Sequence, residues 1–265
     1  MKMQPQLLRR LSGFDVMANV LGSLGLRSQL VCRSECASPW TIALAASQLS
    51  HFHVVERGHV WLQIGQQLYA QKRLDDAIVN FQKSLALKPD QPDAEFSLAQ
   101  AYADQNKYGE AIAAYRKGLA LAPNSAFVYC NMGVALYNNN QLKDAVVSFR
   151  KALELQPSSP EALSGLGSAL TALADLDGAE DAFTRLIAAR PDDWGARYSL
   201  GNVLYTHTKY AAAAARFREC IHMNPTLAQA HYNLALCLSR LKDPEGAAQE
   251  FAEAHRLDPK LPASK

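Results

Sequence analysis

The chain has 265 residues, 49% of them hydrophobic and 20% charged, with a net charge of +2. That balance suits a well-packed protein and gives the molecule no overall pull toward nucleic acid or an anionic membrane. Its five cysteines are odd in number and irregular in spacing, which excludes a secreted disulfide framework and makes a cytoplasmic protein the expectation.

The segment 1–57 stands apart from the rest. It carries six Lys/Arg against three Asp/Glu, and Asp15 is the only acid before Glu35. Asn19, Gly22, Ser23 and Gly25 interrupt what would be the apolar core of a signal peptide, and the sequence has no apolar run long enough to span a bilayer as a helix. The stretch 7–26 can form a glycine-weakened helix. The stretches 29–34, 40–44 and 52–55 are rich in β-branched and aromatic residues and read as strands. His53–Val54–Val55 and His59–Val60–Trp61, separated by Glu56–Arg57–Gly58, would suit a hairpin. Trp61 and Ile64 equally suit the first helix of the repeats that follow, and the helix is the favoured reading because Leu68 needs a helical partner.

From Gly58 onward a strict period appears. Prolines stand at Pro89, Pro123, Pro157, Pro191, Pro225 and Pro259, at one constant interval with no insertion. Ala77, Ala111, Ala145, Ala179, Ala213 and Ala247 keep the same step. Four positions after each comes an aromatic: Phe81, Tyr115, Phe149, Phe183, Phe217 and Phe251. A small residue recurs earlier in each unit, at Gly65, Ala99, Gly133, Gly167, Gly201 and Ala235.

Within one unit, 127–138 places Met132, Ala135 and Leu136 at helical spacing, giving a first helix, A. Asn139–Asn140–Gln141 is the turn, and a second helix, B, spans 144–155 with Ala145, Phe149 and Ala152 on one face. Gly133 and Ala145 are small so that A and B can cross closely, and Phe149 fills the space beside them. Pro157 ends helix B. One hairpin cannot bury its apolar faces alone, so the units must stack. In the sixth unit His255 stands where earlier units have Leu or Ile, as expected of a solvent-facing cap.

These columns resemble the tetratricopeptide repeat, over about three quarters of the chain. The resemblance implies a mainly α protein, a right-handed α-solenoid of six helix hairpins at 58–91, 92–125, 126–159, 160–193, 194–227 and 228–261, within a repeat domain 58–265. Departures are few. Ser84, Gly118, Leu186 and Cys220 replace Ala at position 27 of their repeats, and Glu95, Arg197 and His231 occupy position 4. The segment 1–57 resembles the truncated start of the cupin-type domain of AraC-like regulators, through Asp15–Val16–Met17, Pro39–Trp40 and the run from His53 to Leu62. Both helix-turn-helix units that would read DNA are missing from that resemblance. A partial cupin β region would have unpaired strand edges, predicting self-association through 28–57.

Chemical motifs are sparse. Cys32, Cys36, His51 and His53 have zinc-ligand types, but on strands residues four apart lie about 13 Å from each other, too far for one ion. Cys130, Cys220 and Cys237 read as packed thiols and His231 as a packing residue. No phosphate loop, nucleophile elbow or paired-acid site stands out, so neither catalysis nor a cofactor nor a metal is expected.

The resemblance places a partner peptide or protein on the inner face of the A helices. There the chain presents Gln63, Gln66, Tyr69, Phe96, Ser97, Gln100, Phe127, Asn131, Tyr137, Asn138, Tyr198, Asn202, Tyr205, Tyr232, Asn233 and Arg240. Side-chain amides both donate and accept, matching an extended backbone, and tyrosines add rigid contact area. The Lys/Asn/Arg clamp of the family's chaperone-tail binders is not matched, because Asp93, Asp104 and Glu161 are as frequent as basic groups. A non-enzymatic interaction scaffold is the expected function. The alternative is a regulator or adaptor whose cupin-like head senses a ligand or oligomerises.

Overall fold

The computed structural model describes residues 59–262, and all regular structure among them is α-helical. The chain divides into two compact units, 1–121 and 122–265. In the first, α1 (His59–Ala70) pairs with α2 (Leu74–Leu87) and α3 (Pro92–Asp104) with α4 (Tyr108–Leu121), while α2 packs on α3. In the second, four further pairs stack in chain order. They are α5 (Ala126–Asn138) with α6 (Leu142–Leu155), α7 (Pro160–Ala172) with α8 (Leu176–Ala189), α9 (Trp194–Thr206) with α10 (Tyr210–Met223), and α11 (Ala228–Arg240) with α12 (Pro244–Leu257).

The helix expected over 7–26, the strands expected in 29–34, 40–44 and 52–55, and the partial-cupin segment 1–57 with its self-association all lie outside the described residues. Among the described residues there is no strand. His59, Val60 and Trp61 open α1, which corrects the hairpin alternative. Leu62, Ile64, Gly65 and Leu68 are buried there at helical spacing.

Three of the four sequence columns, the alanines, the aromatics and the small residues, form the core, while the prolines are exposed. Ala77, Ala111, Ala145, Ala179 and Ala213 have no exposed surface, and Phe81, Tyr115, Phe149 and Phe217 are at most 1% exposed. The glycines mark the crossing points. A Cβ on Gly65 would stand 2.5 Å from the Phe81 ring, and one on Gly133, Gly167 or Gly201 would stand 2.7 Å from Phe149, Phe183 or Phe217. Methyl groups do not fit at such distances, so the ring of helix B lies directly on the backbone of helix A.

Five of the seven departures from the repeat pattern are met by a specific neighbour. Ser84 is fully buried, and its Oγ and carbonyl both accept from Gln91 Nε2, at 3.2 and 3.1 Å. Gly118 leaves room for the Phe96 ring, which an added Cβ would strike. Cys220 donates its thiol to the Trp194 carbonyl at 3.4 Å. Arg197 pairs with Glu219 on α10 at 3.1 Å. His231, buried as expected, sets Nδ1 2.6 Å from Glu250 of α12 and Nε2 3.1 Å from the Pro225 carbonyl. Ser84, Arg197, Cys220 and His231 are thus tolerated at these packing positions because an acceptor or donor meets each of the four.

Every A helix ends in the same way. Lys72, Asn106, Asn140, Ala174, Thr208 and Lys242 all have φ between 58° and 63°. The next residue's N–H then bonds back to a carbonyl on the last turn of the helix, as in Arg73 to Leu68, Gln141 to Leu136 and Lys209 to Leu204 at 2.8–2.9 Å. This is the Schellman stop, normally made with Gly or Asn. Thr208, β-branched and exposed, is the poorest fit of the six. Thr208→Asn is expected to raise stability by about 0.5–1 kcal/mol, read as a higher melting temperature. A lower one would show that the threonine contributes something the turn geometry does not.

Candidate functional site

All the residues assigned to the inner face keep some exposure. In the first unit Gln63, Tyr69, Phe96, Ser97 and Gln100 are half-buried and Gln66 is exposed. The Tyr69 hydroxyl donates to Asp104 Oδ2 at 2.5 Å, Gln100 Nε2 donates to Asp104 Oδ1 at 3.0 Å, and the Tyr115 hydroxyl donates to Gln100 Oε1 at 3.0 Å. Asp104 therefore joins the ends of α1 and α3, a role the sequence reading did not give it. Burial first, and then the hydrogen bond and charge of Asp104, push the Tyr69 phenol up to about 12. The protonated phenol is the form the fold favours, so its contribution is complete below pH 10 and is lost as pH rises through 10 toward 12. In a spectrophotometric titration, Tyr69→Phe should remove a late-titrating phenol. Removal of one with an ordinary midpoint would contradict this contact.

In the second unit α5 presents Phe127, 73% exposed, with Asn131, Val134 and Asn138 at steps of four and three along the same face. Tyr137 is exposed beside them. These side chains form an open apolar and amide strip.

Farther along the same unit the residues are tied together. Asn233 of α11 donates both amide hydrogens, to the Tyr198 hydroxyl at 3.0 Å and to Asn202 Oδ1 at 2.8 Å on α9. Tyr198 and Tyr232 rest edge-on against Phe217 and Phe251, with ring centres 5.7 and 5.3 Å apart. The core aromatic of each helix B therefore fixes the tyrosine of its helix A. Tyr205 packs edge-on against Tyr210 at 5.4 Å, and the guanidinium carbon of Arg240 is 6.0 Å from the Tyr210 ring.

With both Asn233 hydrogens committed, its Oδ1 is left as an acceptor, and Asn202 is left with its Nδ2 as a donor. A donor and an acceptor on adjacent A helices match the C=O and N–H of an extended chain. The geometry thus brings Tyr198, Asn202 and Asn233 into one group, Tyr205 and Arg240 into another, and Tyr69 and Gln100 into a third within the first unit. It does not join Gln63, Gln66, Phe127, Tyr137 or Asn138 to any of these. Cys130, Cys220 and Cys237 are free and buried, and burial pushes each thiol up to about 11, which keeps them unreactive.

Family models for the TPR repeat match residues 65–105 and 99–140, and those for the tetratricopeptide repeat match 130–193, 172–218 and 198–262. The chain belongs to the tetratricopeptide-repeat family. Among solved structures it is similar to MamA, with 24% identity and a TM-score of 0.61 over 64% of this chain and 92% of that one. YrrB, described as a tetratricopeptide protein with an unusual peptide-binding site, has 23% identity and a TM-score of 0.61 over 68% and 92%. PilF of Pseudomonas aeruginosa has 21% identity and a TM-score of 0.61 over 77% and 93%. At these identities the likeness is one of fold. No curated protein matches the sequence. Tetratricopeptide proteins are interaction scaffolds that bind protein or peptide partners. Among the described residues no helix is long and apolar enough to cross a membrane.

Proposed function

We propose that this tetratricopeptide chain is a non-enzymatic scaffold that holds an extended peptide segment of a partner protein along the A helices of its second unit. The observation that carries the reading is the pair formed by Asn202 and Asn233. One bond between them fixes both amides, and Asn233 Oδ1 and Asn202 Nδ2 are left for a ligand backbone. Such a pair reads main chain and is indifferent to side chains. Specificity then falls to the tyrosines and Arg240 on either side, and to the strip of Phe127, Asn131, Tyr137 and Asn138 on α5. Gln63, Gln66, Tyr69, Phe96 and Gln100 would offer the same kind of contact within the first unit, taken by itself. YrrB supports the reading as a similar fold described by its peptide-binding site. We place the protein in the cytoplasm on its cysteine pattern, and take 58–265 as the six-repeat binding region, with 1–57 apart from it.

Panning a random peptide library against the full-length chain, followed by hydrogen exchange with and without a selected peptide, tests this. Protection is expected on α9 and α11. Protection confined to the B helices, or to 1–57, would place the binding surface elsewhere.

A further inference from the structure

Asp177 and Glu180 lie three positions apart on α8 and so share a face, and His207 follows the last residue of α9. His207 Nδ1 is 3.9 Å from Asp177 Oδ1 and 3.8 Å from Glu180 Oε2, and one donor atom from each of the three lies within 4.8 Å of the others. Neither separation is a hydrogen bond. Nδ1 is nonetheless shut off from solvent and meets no hydrogen-bonding partner among the described residues. A ring nitrogen held between two carboxylates and bonded to neither is an arrangement that a bridging cation would complete.

We propose that Asp177, Glu180 and His207 bind a divalent transition-metal ion that ties the fourth repeat to the fifth. One imidazole and two carboxylates, with no thiolate, form a donor set for Zn2+, Mn2+, Co2+ or Ni2+. Tetrahedral bonds of about 2.0–2.1 Å bring donor atoms to about 3.3–3.5 Å from one another, so each carboxylate has to close on Nδ1 by about half an ångström, and the two carboxylate oxygens, within 4.8 Å of each other, have to close as well. Asp177, with a side chain 88% exposed, is free to make that movement. The local competitor is Lys209, whose ammonium sits 2.8 Å from the same Glu180 oxygen. The ion has to displace it, and affinity therefore depends on that lysine. Three protein donors leave a further position for water or for a group from a partner. Repeats touch only their neighbours, so an ion shared by two of them stabilises the stack directly.

The test is titration of Zn2+ and Co2+ into the full-length chain, read by calorimetry, thermal melting and the visible absorption of cobalt. The wild type is expected to bind and to melt higher with metal. His207→Gln, or Asp177→Asn with Glu180→Gln, should lower the stoichiometry by one ion or weaken that ion at least about tenfold, and should abolish the gain in melting temperature. Lys209→Ala should tighten binding. These surface variants are expected to keep the wild-type helical signal without metal, so a loss of binding is not a loss of fold. An unchanged stoichiometry and melting shift in His207→Gln would overturn the proposal. So would a cobalt spectrum with thiolate bands that persists in that variant, since it would assign the ion to cysteine ligands elsewhere in the chain.

Discussion

Phe149→Ala is expected to destabilise the second unit by about 3–5 kcal/mol, the upper range for a buried aromatic truncation. The ring is 1% exposed and bears on two glycine backbones. A Cβ on Gly133 of the same repeat would stand 2.7 Å from it, and one on Gly165 of the next repeat would collide with it. One side chain thus closes a hairpin and also seals the hairpin to its neighbour. The glycines have nothing with which to fill the space it leaves, so the cavity persists and its full cost is felt. Urea and thermal melts followed by circular dichroism measure the loss. Val147→Ala on the same helix, 66% exposed, is the control and should change stability by no more than about 0.5 kcal/mol. A Phe149→Ala loss no larger than that of Val147→Ala would contradict the packing described.

The second large effect concerns binding. Asn233→Ala should weaken a selected peptide by about 1–3 kcal/mol, and Asn202→Ala by about 0.5–1.5 kcal/mol. Asn233 has the larger effect because its Nδ2 also holds Tyr198 and Asn202 in place. Removing it takes away one acceptor and releases two further groups that a ligand would meet. Tyr198→Phe separates these roles, since it deletes a hydroxyl and leaves the edge contact with Phe217 intact. It is expected to cost less than either asparagine variant. Equal affinity across all three would mean that the peptide does not lie on α9 and α11.

The fold was legible because its determinants are local and repeated. Each helix crossing needs a small residue, and each space beside it needs a ring, so the requirement recurs at the same place in every repeat, as Gly133 with Phe149 and Gly167 with Phe183. The exceptions were visible as exceptions but carried no reason, because the reason lies on another helix. Nothing in the sequence says that Gly118 makes way for Phe96, or that Ser84 answers Gln91. The left-handed residue ending each A helix was also hidden, since Lys, Ala and Thr occupy it beside Asn. For the candidate site, register was enough to pick the face. The bonding within it was not, because Asn233 reaches back to Tyr198 and Asn202 at two different separations, one longer and one shorter than the period. The Asp177, Glu180 and His207 cluster was missed for a similar reason. The ring of His207 comes from the next repeat, and spacing along one element cannot reveal it.

The central claim is that amides on adjacent A helices hold a peptide by its main chain, and backbone substitution in the ligand tests it most directly. A selected peptide is compared by calorimetry with versions N-methylated at single positions, against wild type and against Asn233→Ala. One N-methylation is predicted to weaken binding to the wild type at least about tenfold while changing binding to Asn233→Ala little, a coupling of about 1 kcal/mol or more between that N–H and Asn233 Oδ1. Losses of equal size in both proteins at every position would mean that Asn233 does not bind the main chain, and the account would fail.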